Sequence, residues 1–212
     1  MGREFDQLFD EWAANYDETV SGSDDQYTEV FSNYDTILET VASLAEGSVV
    51  EFGVGTGNLT ARILEKGHQV LGIEPSGEMR KEAKKKLGFL SIIDGDFFQF
   101  PTEDHVDTFI STYAFHHLTD EEKEEAIALY SSLLKSGGKI IFADTMFLTA
   151  ADKQAAIEKA EHEGFDRLAE DLRTEYYTTI PYLQSILEKH QFHVTFEQLN
   201  PFVWLMHATK QS

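Results

Sequence analysis

Between Ser48 and Thr145 the sequence alternates short β-rich runs with helical patterns, and this alternation most narrows the possible folds. Repeats of strand, helix and strand build a parallel sheet, because each helix crosses over the sheet before the next strand begins. The chain is therefore expected to be an α/β, doubly wound protein with helices on both faces of the sheet. The predicted strands are Val49–Phe52, Gln69–Glu74, Phe89–Ile93, Val106–Thr112 and Lys139–Thr145. Helices are predicted near Leu59–Lys66, Glu78–Leu87 and Glu121–Leu134.

In the C-terminal third of the chain, the last two strands are predicted to be joined by a hairpin rather than by a helix that crosses the sheet. A long helical pattern runs from after Thr145 to about Arg173, and Pro181 begins a shorter helix in the position that proline tolerates best. Two β-rich runs then close the chain, separated only by Asn200–Pro201, a link that allows a hairpin but no crossover. One terminal strand should therefore run antiparallel to the rest. These final runs are His193–Leu199 and Phe202–Thr209.

Length and composition predict one domain, since 212 residues with 42% hydrophobic content can bury one substantial core. We divide it into an N-terminal helical lid or cap (1–45), a cofactor-binding core (46–145) and a helical segment with a C-terminal hairpin (146–212). The net charge of −21 opposes binding to a nucleic acid. The sequence has no cysteine and no long apolar run, so we expect a cytoplasmic protein without a membrane span. We expect it to be a monomer or a homodimer.

The stretch SVVEFGVGTGNLT, Ser48–Thr60, joins the first strand to the first helix through glycines at alternate positions. Such a turn brings bare backbone and a helix N-terminus close to a ligand. The dinucleotide pattern G-x-G-x-x-G/A fails here, because its sixth position falls on Asn58 or Thr60. A carboxylate at the strand end would repel a phosphate and attract a cationic or amino-bearing ligand. The pattern that fits is E-x-G-x-G-x-G, at Glu51, Gly53, Gly55 and Gly57.

Two further carboxylates end the next two predicted strands. Glu74 stands where doubly wound nucleotide sites bind ribose, and one carboxylate can accept hydrogen bonds from two hydroxyls. Asp96 follows the third strand in IIDGDFFQF, where it could accept a hydrogen bond from an adenine amino group while Phe97 covers the ring. All three carboxylates lie at strand C-terminal ends, where open α/β sheets bind their ligands.

With these residues the chain resembles the class I S-adenosylmethionine-dependent methyltransferases over nearly its whole length. The opening FDEWAANYD is further similar to small bacterial methyltransferases of the YrrT type. The resemblance implies a Rossmann-like, seven-stranded, mostly parallel sheet that ends in an antiparallel hairpin, in agreement with the predicted strands. It rests on the stretches VVEFGVGTGN, VLGIEPSGEM, DGDFFQFP, STYAFHHL and LLKSGGKIIFAD.

The resemblance implies S-adenosyl-L-methionine as the cofactor and methyl transfer to a small-molecule acceptor, and we expect no metal ion. Carried over by position, the glycine turn that begins with Glu51 holds the methionine part of the cofactor. Glu74 holds the ribose hydroxyls, Asp96 with Phe97 holds the adenine, and Pro75 is a further cofactor-binding residue. The enzyme's main tasks would be to align the reacting atoms and to exclude water.

Residues on the acceptor side are predicted after strands four and five. His116 and His117 are candidate bases, because histidine titrates near neutral pH, although we favour a structural or cofactor-side role for them. Tyr113 would line the cofactor pocket, with apolar packing as the alternative. Tyr16, in the N-terminal helix, is a further catalytic candidate. The acceptor pocket could also use Arg173, Tyr176 and Tyr177, which a joint between two helices would explain equally well.

The N-terminal segment is predicted to be an amphipathic helix, which either closes over the cofactor as a lid or caps the sheet permanently. Three other functions stay open. The protein could bind S-adenosylmethionine without transferring the methyl, act on RNA against its own charge, or use a nicotinamide cofactor despite the failed glycine pattern. The apolar face of the predicted helix comprises Phe5, Leu8, Phe9, Trp12, Ala13 and Tyr16.

Overall fold

The protein is seen here as a computed structural model that describes residues 10, 13, 16–88, 91–101 and 105–212. In this part of the chain seven strands form one sheet in the order β3–β2–β1–β4–β5–β7–β6. The strands are β1 (Ser48–Phe52), β2 (Gln69–Ile73), β3 (Ile92–Ile93), β4 (Thr108–Thr112), β5 (Lys139–Thr145), β6 (Phe192–Gln198) and β7 (Val203–Lys210). Of the predicted third strand, Phe89 lies outside the described residues.

The strand directions confirm the predicted topology. Strands β1 to β5 are parallel to their neighbours, whereas β7 pairs antiparallel with both β5 and β6. Asn200 shapes the hairpin, because its side-chain oxygen accepts hydrogen bonds from the backbone N–H groups of Phe202 (2.8 Å) and Val203 (2.6 Å). Its amide nitrogen donates to the carbonyl oxygens of Val30 and Ser32, which attaches the N-terminal region to this hairpin.

The helices follow the predicted spans with one difference. Gly164 takes a left-handed conformation (φ 73°) and ends a helix, so the long pattern up to Arg173 is two helices rather than one. Thr119 and Glu122 form the capping box that their spacing suggests. The helices are α1 (Tyr34–Ser43), α2 (Asn58–Glu65), α3 (Gly77–Leu87), α4 (Asp120–Leu133), α5 (Ala150–Glu163), α6 (Asp166–Thr174) and α7 (Ile180–Lys189).

Two apolar layers cover the two faces of the sheet. Successive strand residues point to opposite faces, so Phe109 packs in one layer and Ile110 in the other. Helices α4 and α7 contribute to the layer with Phe109, while α1, α2, α5 and α6 contribute to the layer with Ile110. Both faces of the sheet are thus buried. A ligand can therefore reach the sheet at the C-terminal ends of its parallel strands.

Short helical turns at Tyr16–Glu18, Thr19–Ser23 and Asp25–Tyr27 precede α1. Of the predicted N-terminal apolar face, Ala13 is buried, and Phe5, Leu8, Phe9 and Trp12 lie outside the described residues. Within the part of the chain that the structure describes, every helix is too short or too polar to cross a membrane.

Candidate functional site

A cavity with an empty volume of about 700 Å³ lies at the C-terminal ends of β1, β2 and β4. This is the edge at which doubly wound sheets bind ligands. The sequence-predicted residues that the structure brings together there are Tyr16, Gly53, Gly55, Glu74, Pro75, Asp96, Phe97, Tyr113 and His117. Phe52, Ile73, Met79, Thr112 and Ala114 complete the wall.

The glycine turn presents open backbone to this cavity. Gly53, Gly55 and Gly57 all have positive φ angles (67°, 56° and 88°), which other residues adopt only with strain. A Cβ on Gly55 would meet no atom within 4 Å, whereas a Cβ on Gly53 would lie 2.6 Å from that of Ala114. Gly57 precedes α2 as its N-cap and does not line the cavity. The space beside Gly55 is therefore available to a ligand.

Glu74 ties the turns after β1 and β2 together. One carboxylate oxygen accepts a hydrogen bond from the backbone N–H of Gly55 (2.8 Å), and the other accepts one from the N–H of Ser76 (2.8 Å). The residue is buried, so these contacts hold its carboxylate in one orientation. A carboxylate can accept hydrogen bonds from two hydroxyl groups, so a glutamate in this wall is chemically suited to a ligand that carries hydroxyls.

Asp96 and Phe97 form the next part of the wall. One oxygen of Asp96 accepts hydrogen bonds from the backbone N–H groups of Phe98 and Gln99, both at 2.9 Å, which shapes the turn after β3. The Phe97 ring lies 5.0 Å from that of Phe52, and its carbonyl accepts a hydrogen bond from the Tyr130 hydroxyl. An acidic group and an aromatic face are thus held side by side.

The structure places Glu51 behind the glycine turn, away from the residues that line the cavity. Only 1% of its surface is exposed, and one carboxylate oxygen accepts a hydrogen bond from the Thr60 hydroxyl (2.6 Å). Burial raises the pKa of Glu51 to about 8, with the nearby Glu74 charge adding to the effect. Near neutral pH this carboxyl is mostly protonated, so it contributes little charge to the cavity.

His116 is enclosed by carboxylates. Its Nδ1 lies 2.6 Å from Asp144, its Nε2 lies 3.4 Å from Glu175, and the Tyr177 ring stacks on it at 4.8 Å. Burial works against the charged imidazole, but Asp144 and Glu175 outweigh it and raise the pKa of His116 above its usual value. His116 does not line the cavity, and both of its ring nitrogens face carboxylates. A protonated His116 is therefore the centre of an ion-pair cluster.

His117 lies in the cavity wall with the opposite electrostatic character. Burial and the neighbouring charges of His116 and Lys123 lower the pKa of His117 well below its usual value, so its imidazole is neutral. Its ring centroid is 4.1 Å from that of His116. Ligand atoms of His116, His117 and Glu175 lie within 4.8 Å of one another, close enough to hold a metal ion. His116 already pairs with both Asp144 and Glu175, so the charges of these carboxylates are balanced without a metal ion.

Tyr16 reaches the cavity from the N-terminal region, and its neighbour Asp17 attaches that region to the glycine turn. Asp17 accepts hydrogen bonds from the Thr56 hydroxyl (2.6 Å) and the Asn58 amide (3.0 Å), and it pairs with Lys86 (2.8 Å). Sequence reasoning missed these contacts. The only signal for Asp17 was its place in the stretch FDEWAANYD, because its partners are far away along the chain.

The remaining acceptor-side candidates lie outside the cavity wall. Arg173 pairs with Glu161 and Glu170 on the surface, and Tyr176 is 38% exposed. The side chain of Tyr177 reaches the cluster around His116, where its hydroxyl donates a hydrogen bond to Glu175 (2.5 Å), and the backbone N–H of Tyr176 donates to the carbonyl of His116 (3.1 Å). Most of this stretch therefore acts as a joint between α6 and α7.

Comparison with known proteins identifies close sequence relatives. The chain is 59% identical to an uncharacterized methyltransferase of Bacillus cytotoxicus and 58% identical to one of Geobacillus kaustophilus, in each case over the full length of both chains. A family described as a methyltransferase domain matches residues 49–138.

Solved structures with the same fold are much more distant in sequence. The magnesium protoporphyrin IX methyltransferase of Synechocystis, solved with bound S-adenosylmethionine, superposes with a TM-score of 0.72 at 16% identity, covering 99% of this chain and 97% of that one. A complex of DhpI with S-adenosylhomocysteine gives a TM-score of 0.69 at 17% identity, with 97% and 94% coverage. Both have the Rossmann-like arrangement described above.

Proposed function

The chain belongs to a family of bacterial methyltransferases, and from that premise we propose that it transfers the methyl group of S-adenosylmethionine to a small-molecule acceptor. The observation that carries the proposal is the cavity in which the open glycine turn, Glu74 and Asp96 meet. A methyl-transfer screen would identify the acceptor and the atom that is methylated.

The order of the strands suggests how the cofactor would be held. Asp96 would accept a hydrogen bond from the adenine amino group at the end of β3, and Phe97 would cover the ring. Glu74 would accept hydrogen bonds from the ribose hydroxyls at the end of β2, and the open space beside Gly55 after β1 would take the methionine part. Neighbouring strands would thus hold neighbouring parts of one molecule.

The bound cofactor supplies an electrophilic methyl group on a sulfonium, and the protein aligns an acceptor with it and keeps water away. The acceptor's lone pair forms the new bond to carbon, and the sulfur keeps the electron pair of the bond that breaks. A base is needed only when the acceptor must lose a proton. For that role we assign the neutral His117 in the cavity wall rather than the ion-paired His116.

The N-terminal region acts as a lid over this cavity. Asp17 attaches it to the turn after β1, and Asp10 accepts hydrogen bonds from Ser76 (2.5 Å) and from the N–H of Glu78 (3.2 Å) after β2. Polar contacts of this kind can break and re-form as ligands enter and leave. Tyr16 then closes the cavity on the side that faces the acceptor.

A small acceptor suits the charge of the protein. The net charge of −21 repels a phosphate backbone, and two basic residues of α3 are engaged in ion pairs, Lys81 with Glu78 and Lys85 with Glu82. A compact metabolite is therefore the expected partner.

The test combines binding with turnover. Calorimetry should show S-adenosylmethionine binding without added metal and more tightly than NADH. Incubation with methyl-labelled S-adenosylmethionine and a panel of small thiols, amines, carboxylates and alcohols should give S-adenosylhomocysteine and one labelled product. Tighter binding of NADH would overturn the cofactor assignment. Tight cofactor binding with no turnover on any acceptor class would instead identify a binding protein without transfer activity.

A further inference from the structure

Tyr113, in the cavity wall, has both a strained backbone conformation and a buried hydroxyl without a hydrogen-bond partner among the described residues. Its backbone has a positive φ (54°), a conformation that it shares with only two other non-glycine residues in the described part of the chain, Asn33 and Gln191. Its hydroxyl is buried and has no hydrogen-bond partner among the described residues. Buried polar atoms almost always find partners, and strained backbone gathers at functional sites. The position therefore points to a ligand.

The side chain of Tyr113 is held firmly where it is. Its backbone N–H donates to the carbonyl of Ala143 (3.0 Å), and its ring packs against Phe31 (5.3 Å) and Tyr34 (5.7 Å). Burial raises the pKa of Tyr113 well above its usual value, so the phenol stays neutral. A neutral phenol is a poor nucleophile, so it can stand beside an electrophilic methyl without being methylated itself.

Strand order indicates which part of the cofactor Tyr113 faces, an argument that rests on the proposed function. Ribose at the end of β2 and methionine on the turn after β1 place the sulfonium between those two strand ends. Strand β4 is the next neighbour of β1, and Tyr113 directly follows it. The methyl of the sulfonium would then lie near the part of the wall that contains Tyr113, which lines the same cavity as Tyr16.

We propose that the Tyr113 hydroxyl oxygen contacts the transferable methyl and gives the site a preference for S-adenosylmethionine over S-adenosylhomocysteine. The methyl hydrogens of a sulfonium are polarised, and a neutral oxygen with unused lone pairs can accept a C–H···O interaction from them. The product has neither this methyl nor the positive charge. Tyr113 is in this way a specificity-determining residue that favours release of the product.

The test compares two ligands that differ only in the methyl and its charge. Tyr113→Phe removes the hydroxyl and keeps the ring, so the melting temperature without ligand should stay the same. Calorimetry should show S-adenosylmethionine binding weakened about two- to fivefold, as expected for the loss of one C–H···O contact. Binding of S-adenosylhomocysteine should be unchanged, so the ratio of the two dissociation constants shifts.

Tyr130→Phe is the matched control, because it also removes a buried tyrosine hydroxyl, one that lies behind the wall and donates a hydrogen bond to the carbonyl of Phe97 (2.9 Å). It should affect both ligands equally and leave their ratio unchanged. An unchanged ratio in Tyr113→Phe, or equal weakening of both ligands, would overturn the proposal and place the hydroxyl beside a shared part of the cofactor. Failure of the unaltered protein to bind S-adenosylmethionine would overturn the proposed function instead.

Discussion

The two halves of the ligand-binding edge are built differently. On the side of β1, β2 and β3, Glu74 and Asp96 accept hydrogen bonds from the backbone of their own or neighbouring turns. On the side of β4 and β5, His116 is held by Asp144, which is 28 residues away, and by Glu175, which belongs to the segment between α6 and α7. The first half is organised by local backbone, and the second by contacts between distant side chains.

This difference separates a part of the site that depends on nearby backbone from a part that depends on the packing of distant helices. A turn whose backbone N–H groups are held by its own carboxylate or by that of the neighbouring turn does not depend on the C-terminal helices to keep its shape. A cluster such as that of His116 depends on how α6 and α7 pack, so it can be altered without disturbing the turns after β1 and β2. We therefore expect changes in the first half to act on cofactor affinity and changes in the second to act on the acceptor.

The largest expected effect comes from Gly55→Val, which should abolish cofactor binding measured by calorimetry. The Cβ would project into the open space beside the turn, and a β-branched residue is strained at a φ of 56°. Gly164→Val is the control, because Gly164 has a similar positive φ (73°) and open surroundings at a helix end, outside the cavity wall. Equal binding by both variants would show that the turn does not approach the ligand.

Glu74→Ala should weaken S-adenosylmethionine binding by about 1–3 kcal/mol, since hydrogen bonds to a charged group are lost. Because the carboxylate also holds the N–H groups of Gly55 and Ser76, part of this loss would come from a looser turn. Glu74→Gln keeps the shape of the side chain and one acceptor oxygen. Its affinity for the cofactor should therefore lie between those of the unaltered protein and of Glu74→Ala. The exposed Glu188 provides a control substitution to alanine. Normal binding by Glu74→Ala would make Glu74 a structural residue only.

Removing residues 1–20 should weaken cofactor binding and nearly abolish turnover while the melting temperature without ligand stays nearly unchanged. The smaller change Asp17→Ala removes the contacts with Thr56, Asn58 and Lys86, and we expect it to cost about 1 kcal/mol of cofactor affinity. Asp24→Ala, which breaks a surface pair with Arg167, is the control. A large loss of stability with unchanged affinity would identify a permanent cap and exclude the lid.

The smallest expected effect concerns stability and pH. Glu51 has a pKa of about 8 when folded, above the 4.5 of an exposed glutamate. Between these values the folded chain holds a proton that the unfolded chain has released, so raising the pH opposes folding. Urea unfolding should show stability declining from about pH 5 to pH 8, and Glu51→Gln should flatten that decline. A decline of the same size in Glu51→Gln would assign it to other groups, such as His116.

Much of the fold and the cofactor half could be predicted from the sequence because their signals are local. Strand β5 begins and ends where its β-rich run predicts, and the capping box of Thr119 and Glu122 forms as its spacing suggests. The long helical pattern was wrongly taken as one helix, because its periodicity continues past Gly164 while only the backbone there shows the break. Glycine spacing and strand-end carboxylates likewise placed Gly55, Glu74 and Asp96 on one edge.

The sequence by itself determined that Gly55, Glu74 and Asp96 lie together, since the strand ends of a parallel sheet must meet along one edge. Only the tertiary structure decided which member of an adjacent pair reaches the cavity. His117 lines it and His116 does not, because the turn Phe115–His117 directs the two rings differently and Asp144 and Glu175 enclose the first. It also decided that Glu51 lies behind the turn, since alternate strand residues face opposite sides of the sheet and this one meets Thr60. Whether His116, His117 and Glu51 line the cavity thus depends on their burial and on partners that are distant along the chain. Neither can be read from the spacing of residues in the sequence.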